Sequence, residues 1–348
     1  MTHQGLFTLR RMPRFSLTLA YAVLFLGFAN AYADEPLEEV VVSGEFPGPG
    51  MWKVSRADDP SAHVLWIVGV QPALPKRLRW KSREIEAAVM DAQEILLDAN
   101  VTMEPDEKIG VLRGITYLPA MLRARRNPDE ARLEQLLPAD LYARWLAQKK
   151  RYLGRERGVE EWRPIFAADK LRRAALDELD LRERGMVWDA VRKLAEKHEK
   201  KVTTPSMKFT FKRSELRAKI KEFSRESLAD VECFSTMLDY VEALSRTEIE
   251  AARARAWATG DIAALEALPQ LPNPMLPCAT AVMNSQVARE VIPADIGGQL
   301  HTLWLDAAQQ SLASNQTTVA IVPLRKLLDR DGYAAALRAQ GFIVEAPR

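Results

Sequence analysis

The segment HVLWIVGVQP, residues 63–72, decides the fold. Leu65, Trp66, Ile67 and Val68 form an unbroken apolar run into Gly69, with Pro72 three places later. A continuous apolar run that stops at a glycine and a proline predicts a short strand buried on both faces and delivering a loop. Beyond the loop, Ser82 is placed to cap a helix in which Ile85, Ala88, Val89 and Ala92 share one face. The run EILL (94–97) then predicts a second buried strand ending at Asp98. Short all-apolar strands separated by a helix argue for a parallel sheet covered on both sides.

The pattern recurs at the other end of the chain. TVAIV (318–322) enters a loop, PLRKLLDRDG, before the helix YAAALRAQ, which Gly341 stops, and FIVE (342–345) predicts a final strand. Residues 112–266, between the two units, have helical periodicity. Asn127-Pro128-Asp129-Glu130 reads as a capped helix start, and Pro164 as another. Leu141, Trp145 and Tyr152 share a helix face, and SELRAKIKEF and VECFSTMLDYVEAL are further helices. In MKFTFK (207–212) the period is two instead, which predicts a half-exposed strand. The expected fold class is therefore α/β: a mainly parallel sheet built from N- and C-terminal βα units around a large helical insertion.

The N-terminus reads as an export signal. Arg10, Arg11 and Arg14 precede the apolar stretch 15–28, and Ala31-Tyr32-Ala33 is a small-x-small cleavage site. The apolar stretch is too short for an ordinary membrane span, so cleavage after Ala33 and a periplasmic or secreted product are expected, with no transmembrane segment left. Residues 34–50, with acids, VVVS and a Pro/Gly-rich end, are expected to tether the fold, which begins at Met51. Residues 1–33 hold three arginines and no acid, so their removal leaves 46 basic against 47 acidic residues. The basic balance belongs to the signal, and nucleic acid is not an expected partner.

The mature chain has two cysteines, Cys233 and Cys278. In an exported protein an even pair suggests a disulfide, with Cys233 on a helix and Cys278 in a stiff, proline-bracketed loop, PNPMLPCAT. Histidines at 63, 198 and 301 remain, a poor supply for a metalloenzyme. No nucleophile elbow, P-loop or dinucleotide fingerprint is present.

Taken in order, MWKV, LWIVG, REIEAAVMDAQEILLDAN, WRPIFAADKL, ARAWATGDIAALEAL and VAIVPLRKLLDRDGYAAALRAQGFIVE resemble the TraB/GumN family, which includes TIKI-type metalloproteases. The resemblance covers residues 51–348 and implies an α/β fold related to the erythromycin-esterase and ChaN-like folds. It also implies, for the members proposed to be metal-dependent peptidases, a Gly-x-x-His motif after each buried strand and a carboxylate. Here the first motif falls on Gly69-Val70-Gln71-Pro72 and the second on Pro323-Leu324-Arg325-Lys326, so both histidines are missing. The acid falls on Asp98, and an Arg-Asn pair of the family falls near Leu300-His301.

Proline offers no side-chain donor and lysine is normally protonated, so neither replaces an imidazole as a metal ligand. Gly69, Gln71, Pro72, Asp98, Arg325 and Lys326 are thus expected to mark a cleft without catalytic residues, cofactor or metal ion, in which the Lys326 ammonium neutralises Asp98. This divergent member is expected to bind or scaffold a peptide, a glycan or another envelope protein. The alternative is a TIKI-type hydrolase or peptidase using other residues in the same cleft.

Overall fold

The run at 64–70 becomes the second strand of a six-stranded sheet in a computed structural model of the chain. The structure describes residues 46–347 except 57, 59–62, 82, 111–113 and 184. The proposed signal sequence, the first part of the tether and the Ser82 cap lie outside them. In chain order the strands are β1 (Met51–Arg56), β2 (Val64–Val70), β3 (Leu74–Pro75), β4 (Glu94–Leu97), β5 (Asn100–Pro105), β6 (Leu181–Arg182), β7 (Lys201–Thr203), β8 (Ser206–Phe211), β9 (Thr317–Pro323) and β10 (Phe342–Glu345). The large sheet has the order β10-β1-β2-β9-β4-β7. β2, β9, β4 and β7 run parallel, while β1 is antiparallel to both β2 and β10. The fold is mixed α/β, as the paired apolar runs required.

The two runs far apart in sequence lie side by side, with Leu65 opposite Thr318 and Val70 opposite Pro323. Leu65, Ile67, Val68, Ile95, Leu96, Val319 and Val322 are fully buried. Helices Arg83–Asp91, Met186–Lys197, Ile296–Ser314 and Tyr333–Ala339 pack on this core through Ile85, Val89, Val191, Trp304, Leu305 and Leu337.

The middle of the chain is not uniformly helical. Besides β8, the strand expected at MKFTFK, it supplies β6 and the sheet-edge strand β7, which pairs with β4. Its helices hold a second core of Leu141, Trp145, Leu171, Phe234 and Leu238. Asn127 does not cap a long helix: residues Pro128–Glu130 form a single 3-10 turn in which Asp129 and Glu130 have positive φ. The Asn127 amide donates instead to the carbonyls of Ala131 and Trp162, both at 2.9 Å. The end of the expected tether belongs to the packed body, since Phe46 bridges to Trp80 and the Gly48 N–H donates to the Ala258 carbonyl.

Cys233 and Cys278 form a disulfide with Cα atoms 4.5 Å apart. Cys278 lies in helix Met275–Met283 and not in a loop. Pro274 and Pro277 flank positions whose N–H groups have no intrahelical partner, so prolines there start a helix instead of stiffening a loop.

Glu94, at the amino end of β4, is a buried carboxylate satisfied on both oxygens. Ser311 and Asn315 donate to Oε2 at 3.1 and 2.8 Å, and Thr203 and the Lys201 ammonium donate to Oε1. Burial alone would raise its pKa, but the bonds from Thr203, Lys201 and Asn315 outweigh it and hold the carboxyl below its usual value. Such a group stabilises the fold above its unfolded pKa, and the contribution is lost as pH falls through the folded value. Glu94→Gln should therefore destabilise by about 1–2 kcal/mol near neutral pH. Urea denaturation from pH 7 to pH 3 should show the gap between wild type and variant closing only below about pH 4.5, near the unfolded carboxyl pKa.

Candidate functional site

In a parallel sheet the carboxyl ends of neighbouring strands are where loops can gather side chains. β9 sits between β2 and β4 here, so the segments after all three leave the same sheet end. Asp98 follows β4 directly. Lys326 lies in a short helix, Leu324–Leu328, which replaces part of the loop expected after β9. The Lys326 Nζ donates to Asp98 Oδ2 at 2.7 Å.

The second oxygen of Asp98 is also engaged. Tyr333, first residue of the next helix, donates its hydroxyl to Oδ1 at 2.7 Å. Its ring is fully buried, stacking on Trp304 with centroids 3.9 Å apart and on His301 at 5.0 Å. Burial, with the neighbouring Asp98 charge, pushes the phenol pKa far up, so Tyr333 remains a donor at any physiological pH. Gly332 makes the approach possible. A Cβ there would stand 2.5 Å from the Lys326 carbonyl oxygen and 2.8 Å from that of Asp329. Beside Lys326 and Tyr333 opens a cleft of about 440 Å³ lined also by Gly297, His301, Asp329 and Arg330 among others, while Asp98 itself is not part of its wall.

Of the six positions marked in the sequence, Asp98 and Lys326 meet. The others do different work. The Gly69 carbonyl accepts from Trp257 Nε1 at 2.9 Å, and a Cβ on Gly69 would stand 2.5 Å from the Leu324 side chain. Gln71 is half-buried and Pro72 exposed, and neither lines the cleft. Arg325 turns away and donates to the Leu271 carbonyl at 2.5 Å.

The 71–75 loop is an anchor. Ala73, in the left-handed region at φ 59°, buries its methyl with Leu176, Leu181, Tyr240, Leu244 and Leu271. β3 then pairs with β6. Arg325 and Ala73 thus tie the ends of both central strands to the middle of the chain at Leu271.

His63 and His198 lie elsewhere. The His63 Nδ1 is 2.8 Å from the Asn315 carbonyl oxygen, and His198 follows helix Met186–Lys197. His301, which no sequence motif marked as a ligand, is in the cleft wall, with its buried Nε2 making no hydrogen bond among the described residues. The signal that could have found it was its closeness to the place where the resemblance put an Arg-Asn pair. Tyr333 had no comparable signal, because its partner Asp98 is 235 residues away.

Residues 50–346 match the sequence profile of the TraB/PrgY/gumN family. The chain belongs to this family. No curated protein and no solved structure matches it.

The donor set at the positions marked from the sequence does not suit a divalent cation. Pro72 has no donor, Lys326 brings a positive charge, and each Asp98 oxygen already accepts a short hydrogen bond. Among the described residues no three His, Cys, Asp or Glu side chains converge where they could hold an ion. The ammonium sits where a cation would have to approach Asp98, and like charges so close repel strongly once partly shielded from water.

Proposed function

We propose that this TraB/PrgY/gumN protein is exported, loses residues 1–33, and serves in the cell envelope as a binding or scaffolding protein that uses the family cleft without metal-dependent catalysis. The observation that carries the reading is the triad Tyr333–Asp98–Lys326, in which an ammonium and a phenol occupy the carboxylate at the family's motif position. Export is supported by the basic and apolar N-terminal pattern. The disulfide is compatible with an oxidising compartment outside the cytoplasm, and no described helix is long and apolar enough to cross a membrane.

The cleft's mixed lining supports this choice of ligand class. Lys326, Arg330, Asp329 and Asp331 present both charge signs beside backbone groups. Such a wall suits a peptide or a glycan, each of which offers donors and acceptors together, better than a simple anion.

One observation favours an enzyme instead: His301 and Lys326 both line the cleft, and an imidazole beside a bound substrate can serve as a general base. Peptidase assays with the purified protein separate the two readings. Hydrolysis should stay at background with manganese, cobalt or zinc added. Metal-stimulated cleavage abolished by Asp98→Ala would establish a metallopeptidase, and metal-independent cleavage abolished by His301→Ala would establish the other hydrolase.

A further inference from the structure

We propose that the surface lobe formed by residues 114–126 and helix Leu216–Arg225 docks the protein onto a bilayer containing anionic lipid. Within eight residues, Ile115, Leu118, Met121 and Leu122 are 59%, 51%, 58% and 46% exposed. Helix Leu118–Ala124 buries only Ala124, and helix Leu216–Arg225, packed beside it, buries no residue. Four large apolar side chains half in water on one short stretch are more than a monomer ordinarily leaves scattered.

The lobe is nevertheless firmly built. The buried Arg163 guanidinium donates to the carbonyls of Ala124, Phe223 and Glu226 at 2.9, 2.6 and 2.7 Å, fixing both helices to the body. The apolar face is therefore presented by a rigid support.

Charge selects the occupant. From Gly114 to Pro128 the chain carries Arg123, Arg125 and Arg126 and no acid. Arg126 pairs with Glu161, and Arg125 stacks over Trp162. Arg123 is exposed, and the neighbouring helix adds exposed Arg217, Lys221 and Arg225, while its Lys219 pairs with Glu222 and Glu290. An apolar centre with a basic rim matches a lipid surface: acyl chains take the side chains and anionic headgroups take the cations. A second copy of the chain would set basic rim against basic rim, which disfavours self-association.

The test is sedimentation of the protein, as purified from the cells that make it, with phosphatidylglycerol/phosphatidylethanolamine vesicles, alongside hydrogen exchange of the 114–126 amides. Binding to these vesicles, weak binding to phosphatidylcholine, slowed exchange at 114–126 and loss of binding in high salt are expected. Leu118→Asp with Met121→Asp should weaken binding about tenfold or more. Arg123→Glu with Lys221→Glu gives an independent check if the first variant folds poorly. Equal binding to neutral vesicles, unchanged exchange at 114–126, or a lipid-free dimer dissolved by the same substitutions would overturn the proposal.

Discussion

Trp257→Ala should lower the stability of the protein by about 4 kcal/mol, near the upper end of what truncating one side chain costs. The indole is 2% exposed, in the core that joins the helix Thr247–Ala258 to the end of β2. It packs edge-on to Trp80 with centroids 6.0 Å apart and donates to the Gly69 carbonyl. Truncation therefore opens a cavity and leaves a buried carbonyl unpaired, two penalties that add. Trp257→Phe keeps most of the volume and loses the hydrogen bond, so it should lie between wild type and alanine. Urea denaturation of the three proteins measures both. Equal stability of wild type and Trp257→Ala would show that the tie between β2 and the middle of the chain is unimportant.

Removing the Cys233–Cys278 disulfide should cost a similar amount. The bond spans a sequence separation of 45 and fastens helix Met275–Met283 to helix Val231–Leu244 in the second core. If restriction of the unfolded chain dominates, the loss is about 4 kcal/mol. For a chain of this size that corresponds to a fall in Tm of about 6 °C. The Cys233→Ala/Cys278→Ala protein compared by calorimetry with the oxidised wild type reads this directly. A shift below about 1 °C would mean that the unfolded state is already compact around these helices.

The central strands were legible because burial on both faces removes polar alternation: Leu65–Val68, Glu94–Leu97 and Thr318–Val322 all became sheet. β7 was not legible. Lys201 and Val202 are exposed at the sheet edge, so no apolar run announces the strand. The helix at Leu324–Leu328 had a signal, Leu324 and Leu327 one turn apart and both buried, which the flanking proline and Asp-Gly masked. Asn127-Pro128 misled because capping residues also build turns when their side chains find carbonyls elsewhere.

At the site, parallel pairing of β2, β9 and β4 brought Asp98 and Lys326 within reach, which strand order alone made foreseeable. The turning of Arg325 to Leu271 and the burial of Ala73 were not foreseeable, since both depend on how the middle of the chain folds back. The loop after β2 is an anchor because a proline and a left-handed alanine shape it for packing.

Whether the Lys326 ammonium takes the place of an ion decides the functional reading. Elemental analysis of the wild-type protein, purified without chelator and then equilibrated with manganese, cobalt and zinc in turn, is the most direct measurement. The expected result is metal far below one equivalent per chain, with no difference between wild type and Asp98→Ala. Near-stoichiometric metal in the wild type, lost in Asp98→Ala, would contradict it.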